Sequence, residues 1–317
     1  EAYEWLQSNV PAVKEGKATV ASNNIVQTLS AHVPNSDSLK YLWCRENEWF
    51  NNPFDYAIFT NRTLSKTQIE GGYWPPKGTI YEVKVDGVCV AAVVKAENNF
   101  GGLAHIAFTQ RNVDEAETLY TKAILYNPLE EEFARGLANV LKAKGQFDSA
   151  ILFFNKAANL RDHNFEAFYG LGECYFTKAT QENQAQPNLS LLSKAEENFR
   201  KAIQFKQNYS SAYFYLGTIQ LVQKKEYDAE KSFLAAIEQS PNFSYAYLGL
   251  GKAYMNSGRA DKAIESFTIA AQIDEQMGTK NAEPFYYLSE LYTNKGDETN
   301  ANAYAQKDME MAGGANQ

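Results

Sequence analysis

The sequence has little of what disulfide-rich, metal-binding, membrane-spanning or nucleic-acid-binding chains depend on. Its 317 residues hold three cysteines, Cys44, Cys89 and Cys174, odd in number and far apart, so neither a disulfide framework nor a zinc pattern is present. Histidine is as scarce: His32, His105 and His163 are isolated and lack metal-ligand spacing. No apolar run approaches the roughly 18 residues of a membrane span. Thirty basic side chains face 38 acidic ones, a net charge of −8, which argues against the basic field of a nucleic-acid binder. No P-loop, GxGxxG, GxSxG or HExxH motif occurs, and no constellation of acid, base and nucleophile. Asp55, alone before a strand-like run, is read as structural. No catalytic residue, metal or cofactor is therefore expected. The segment opens at Glu1 without a methionine or a signal peptide, and reads as either a processed chain or a piece of a longer one.

What the chain does have is a repeat. Tyr213, Leu216, Gly217, Ala229, Phe233 and Ala236 recur as Tyr247, Leu250, Gly251, Ala263, Phe267 and Ala270, each 34 residues on. This spacing resembles the tetratricopeptide repeat (TPR), a helix–turn–helix unit that cannot bury its apolar face alone and so stacks into a superhelix. Small residues at Ala116, Ala150, Ala195, Ala229, Ala263 and Ala301 extend the register to six units, near 97–130, 131–164, 165–209, 210–243, 244–281 and 282–315. The intervals of 45 and 38 residues place one insertion at Thr180–Leu191 and a shorter one around Met277–Asn281, both expected as loops. Tyr120, Phe154, Phe199, Phe233 and Phe267 should fill the layer between helices, with Ala138, Gly172, Gly217 and Gly251 allowing close approach. Gly101-Gly102 is expected to break the chain as a turn, like Gly71-Gly72. The sixth unit has Ala305 where phenylalanine belongs, as expected of a capping unit that faces water.

Residues 1–96 do not follow the repeat. Tyr81, Val83 and Val85 alternate with polar residues, then Asp86-Gly87 precedes Val88 and Val90: a hairpin with a two-residue turn. Ala18–Ala21, Leu39–Trp43 and Tyr56–Phe59 read as further short strands, with helices over Ile25–His32 and Thr63–Glu70. The expected fold is a small α/β domain with a mixed sheet over 1–96, followed by an all-α superhelix over 97–317.

TPR arrays usually bind on the face formed by their first helices. Projected onto this chain, that face offers Arg135, Asn139 and Lys142, then Tyr169, Glu173 and Phe176, then Phe214, Tyr215 and Thr218, then Tyr245, Lys252 and Met255, then Tyr286, Tyr287 and Glu290. An aromatic face with few charges suits an extended peptide or a glycan, or its rings simply pack between neighbouring helices. Arg135 and Asn139 resemble the first half of the carboxylate clamp of chaperone-binding TPRs. Gly170, Ser211 and Tyr215 stand where the rest would be needed, which argues against a Glu-Glu-Val-Asp tail as ligand.

Three phrases at the N-terminus, ATVASNN (Ala18–Asn24), FDYAIFTNR (Phe54–Arg62) and YWPPKGTIYEVKVDGVCVAAVVK (Tyr73–Lys95), resemble the soluble domain of dolichyl-phosphate-mannose-type membrane glycosyltransferases (the GT-C class). The resemblance implies a non-catalytic accessory region on the periplasmic or extracellular face, touching a membrane only through a segment absent from this chain. The expected role is protein binding or scaffolding through the TPR groove, with a free-standing adaptor capped by the α/β domain, and a cytoplasmic location, as the alternative. The partner is a protein or peptide, not a nucleic acid.

Overall fold

The structure is a computed structural model, and it describes Leu6, residues 8–10, five strands at 19–22, 40–43, 56–60, 79–85 and 88–95, and residues 100–313 except 127, 129, 162 and 182–186. The chain divides into two compact units, Glu1–Cys174 and Tyr175–Gln317.

The first unit opens with a helical turn whose Leu6 is fully buried, followed by five strands, β1 (Thr19–Ser22), β2 (Lys40–Trp43), β3 (Tyr56–Thr60), β4 (Thr79–Val85) and β5 (Val88–Lys95). They form one sheet in the order β2-β1-β3-β5-β4. β1 runs parallel to both β2 and β3, while β5 runs antiparallel to β3 and β4, so the sheet is mixed. Val85 pairs with Val88 at the end of the β4–β5 ladder, the register a two-residue connection imposes. The turn residues 86 and 87 lie outside the described residues, as do the helices expected over 25–32 and 63–70, Asp55, His32, Cys44 and Gly71-Gly72.

From α1 (Phe100–Thr109) onward the chain is helical: α2 (Val113–Tyr126), α3 (Glu131–Ala143), α4 (Phe147–Leu160), α5 (Phe165–Gln181), α6 (Leu189–Phe205), α7 (Ser210–Val222), α8 (Glu226–Gln239), α9 (Ser244–Asn256), α10 (Ala260–Met277), α11 (Glu283–Asn294) and α12 (Glu298–Gly313). These twelve helices form six pairs. The alanines that set the register are the test of the alignment: Ala116, Ala150, Ala195, Ala229 and Ala263 are fully buried, and Ala301 nearly so. Each admits the first helix of its own pair. Between helices of a pair, one backbone position is repeatedly left-handed: Arg111, Gly145, Lys224, Gly258 and Gly296 have φ of 63°, 74°, 58°, 74° and 74°. Glycine relieves the Cβ strain at three of the five.

Two expectations are corrected. Gly101 and Gly102 do not break the chain but sit buried in the first turn of α1. The reason is contact with a ring: a Cβ on Gly101 would overlap the Phe133 side chain of α3. Nor is 180–191 a loop throughout, since α5 continues to Gln181 and α6 begins at Leu189, each 17 residues long against 13 for α7. Leu192 is fully buried, so lengthening α6 hides apolar surface that a loop would leave wet. Asn188 starts that helix by accepting hydrogen bonds from the Ser190 and Leu191 amides (3.1 and 3.2 Å). The shorter insertion is likewise partly helical: α10 runs 18 residues and stops at Gly278, whose left-handed backbone closes it.

Candidate functional site

In the first unit, Arg135, Asn139 and Lys142 recur at i, i+4 and i+7 on α3 and so share a face. The structure turns their charges inward. Arg135 pairs with Glu132 (3.2 Å) and more loosely with Glu131 (3.8 Å), two acids that are 5 % exposed. Glu131 also accepts from Arg161 and Asn164, both at 2.8 Å. Lys142 of α3 is spent on Glu173 of α5. Two predicted binding residues thus neutralise each other, and Arg135 is no open anion clamp. Asn139 and Tyr169 are half-buried beside them.

Electrostatics follow from this burial. Desolvation pushes the Glu132 carboxyl well above its ordinary range, against the pull of Arg135. The Arg135 guanidinium loses hydration on burial, but Glu166, Glu132 and Glu131 together hold its proton more firmly still. Burial pushes the Tyr120 phenol up to about 12, and burial with nearby Arg135 lowers His105.

The second unit presents rings instead. Tyr215 of α7 lies flat on Phe199 of α6, with centroids 4.9 Å apart and planes 4° apart, and meets Phe176 edge-on at 5.4 Å. Phe214 touches Tyr215, Phe233, Phe243 and Tyr245 at 5.5, 6.0, 5.3 and 6.4 Å. Of this set the predicted contact Tyr245 is half-exposed, at 49 %. Tyr215 is anchored in the interhelical layer, whereas Tyr245 stands on Phe214 and reaches solvent. Further along, Lys252 of α9 pairs with Glu283 of α11 (2.6 Å) and sits 5.2 Å over the Tyr287 ring, which stacks on Phe267. Tyr286 is 53 % exposed and meets Tyr287 edge-on at 5.2 Å.

Sequence projection missed Phe243, which lies one residue before α9 and outside the first-helix positions. It also missed Gly136, Gly170 and Gly249, which admit the rings of Tyr120, Phe154 and Phe233 from the preceding pair. At that same repeat position Tyr215 and Tyr287 stack on the preceding ring instead. The signal was present as a glycine or an aromatic two residues after each repeat tyrosine or its substitute.

Such a strip can hold apolar and aromatic side chains, with tyrosine hydroxyls for main-chain groups. Among the described residues no group of three His, Cys, Asp or Glu could hold a metal, and no helix is long and apolar enough to cross a membrane. A family model described as the SusR N-terminal TPR domain matches residues 106–317. The chain belongs to the SusR N-terminal TPR domain family. Membership confirms the TPR reading and points to a non-enzymatic protein-interaction domain. None of the curated proteins matches the sequence. Solved structures share the fold of the SusR-type array. PilF of Pseudomonas aeruginosa is 18 % identical, with 66 % of this chain and 88 % of that one covered and a TM-score of 0.55. The Cut9 and Hcn1 hetero-tetramer of the APC/C gives 16 %, 67 % and 39 %, with 0.54. MamA (41 to the end) from Desulfovibrio magneticus RS-1 gives 20 %, 59 % and 97 %, with 0.50. The family match begins after the sheet and does not reach the segments that resemble membrane glycosyltransferases.

Proposed function

We propose that this chain is a scaffold that captures an extended segment of a protein partner on the first-helix face of α7 and α9. The observation that carries the reading is Tyr245, a ring half open to solvent on a base of Phe214 and Phe243. A rigid, pre-placed aromatic loses little entropy on binding, which is why such rings serve as anchors. The cation of this face, Lys252, is already held by Glu283, so the reading favours apolar or aromatic partner side chains over an acidic tail. The test is recovery of a partner by the whole chain and by Tyr245→Ala; equal recovery removes this face from the reading.

The phrases at 18–24, 54–62 and 73–95 support a wider context for the same role, as the extracytoplasmic accessory part of a membrane glycosyltransferase-like protein. Family membership is equally compatible with an adaptor whose N-terminal sheet caps the array. Reading the frame upstream of Glu1 separates the two: several hydrophobic spans support the first, a start codon or lone signal peptide the second.

A further inference from the structure

The repeat uses one position of its second helix to hold a ring. Phe233 and Phe267 fill it and are fully buried, against Gly217 and Gly251 of their own pairs. In the last pair the position is Ala305, the glycine has become Ser289, and Asp308 replaces the alanine seen at Ala236 and Ala270. A cavity of about 390 Å³ lies there between α11 and α12, walled by Tyr286, Glu290, Thr293, Ala305 and Asp308. The hydroxyls are turned to backbone: Thr293 donates to the Ser289 carbonyl at 2.8 Å, and Ser289 to that of Ala301 at 3.0 Å. Glu290 and Asp308 have no ion-pair partner among the described residues. Their neighbours do, since Asp261, Glu275 and Glu283 hold Lys295, Lys307 and Lys252.

A terminal pair that only had to face water would need a polar surface, not a hollow. Here an open hollow is left where the ring would sit, beside an exposed tyrosine and two carboxylates that have no ion-pair partner among the described residues. We infer that this cavity receives the guanidinium of an arginine presented by a partner peptide. The group is planar, as the missing ring would be; it is cationic, stacks on tyrosine and donates to carboxylates in pairs. The inference rests on the scaffold reading only in that the arginine arrives on a peptide. The slot lies on different helices from Phe214 and Tyr245 and is tested apart from them.

The probe is fluorescein-labelled Gly-Gly-Arg-Gly-Gly amide, titrated with the whole chain by anisotropy, beside versions carrying citrulline or lysine. The arginine peptide should bind, salt should weaken it, and the citrulline version should bind about ten-fold more weakly for want of charge. Asp308→Asn and Glu290→Gln should each cost about three-fold or more, Ala305→Phe should abolish binding by filling the slot, and Tyr245→Ala should leave it unchanged. Equal binding of the citrulline or lysine version overturns the inference, as does no binding of the arginine peptide up to about 10 mM. Should Ala305→Phe misfold by circular dichroism, Asp308→Asn decides: folded protein with undiminished binding overturns it. Equal partner recovery on Tyr245→Ala with arginine binding intact means that the scaffold reading has failed; loss of partner recovery on Tyr245→Ala with no arginine binding by the wild-type chain means that this inference has failed.

Discussion

Phe233 of α8 lies between two glycines, Gly217 of its own pair and Gly249 of the next, so closely that a Cβ on either would come within 2.8 and 2.4 Å of the ring. The ring is fully buried and cannot swing away. Gly249→Ala should therefore destabilise the protein by about 1–3 kcal/mol, the usual cost of overpacking a close-packed interior. Thermal unfolding checks this. A double variant with Phe233→Leu, which shortens the intruding group, should recover part of the loss; an unaltered melting temperature in Gly249→Ala alone would show that the pair can separate freely.

The left-handed turn position gives a prediction of opposite sign. Lys224 adopts φ of 58° where Gly145, Gly258 and Gly296 adopt 74°. A side chain there costs about 1–2 kcal/mol, partly offset because glycine frees the unfolded chain. Lys224→Gly should stabilise by about 0.5–1 kcal/mol, and Gly258→Lys should destabilise by a similar amount. Urea midpoints at constant slope test the pair, and destabilisation by Lys224→Gly would refute the strain argument.

Glu132 makes stability pH-dependent. Its folded carboxyl holds a proton to higher pH than the unfolded chain, whose value is near 4.5, chiefly because of burial. Above that pH the folded state binds more protons than the unfolded one, so unfolding free energy falls as pH rises toward the folded value. Glu132→Gln should flatten this fall while leaving Arg135 paired with Glu131. Denaturation between about pH 5 and 7.5 would show it; parallel wild-type and variant curves would mean that Glu132 does not titrate in this window.

The two central rings of the proposed face should separate fold from binding. Phe214 touches four other rings, and truncating it to alanine should cost about 2–4 kcal/mol. Tyr245, half in solvent, should cost under about 1 kcal/mol as Tyr245→Ala yet weaken partner binding as much or more. Calorimetric melting beside a binding titration gives both numbers. A Tyr245→Ala protein that melts much lower would mean the ring is chiefly structural.

Sequence by itself determined the helical array: the 34-residue spacing of alanines and phenylalanines is local, because each pair repeats the same short-range packing problem. It also marked the hairpin strands at 79–85 and 88–95, through alternation and an Asp-Gly turn. Only the tertiary structure decided which projected face residues are available. Lys142 and Glu173, on different helices and distant in sequence, neutralise each other, and no spacing rule encodes that pairing, whereas Arg135 is held within its own helix by Glu132 and Glu131. Tyr215 and Tyr245 look alike as letters. One is stacked flat on Phe199 and the other stands clear, because availability depends on what the neighbouring pair places opposite each ring. The same reason hid the cavity at Ala305: a missing phenylalanine is visible in the sequence, but the space it leaves, and the two acids facing it, exist only once α11 and α12 are packed.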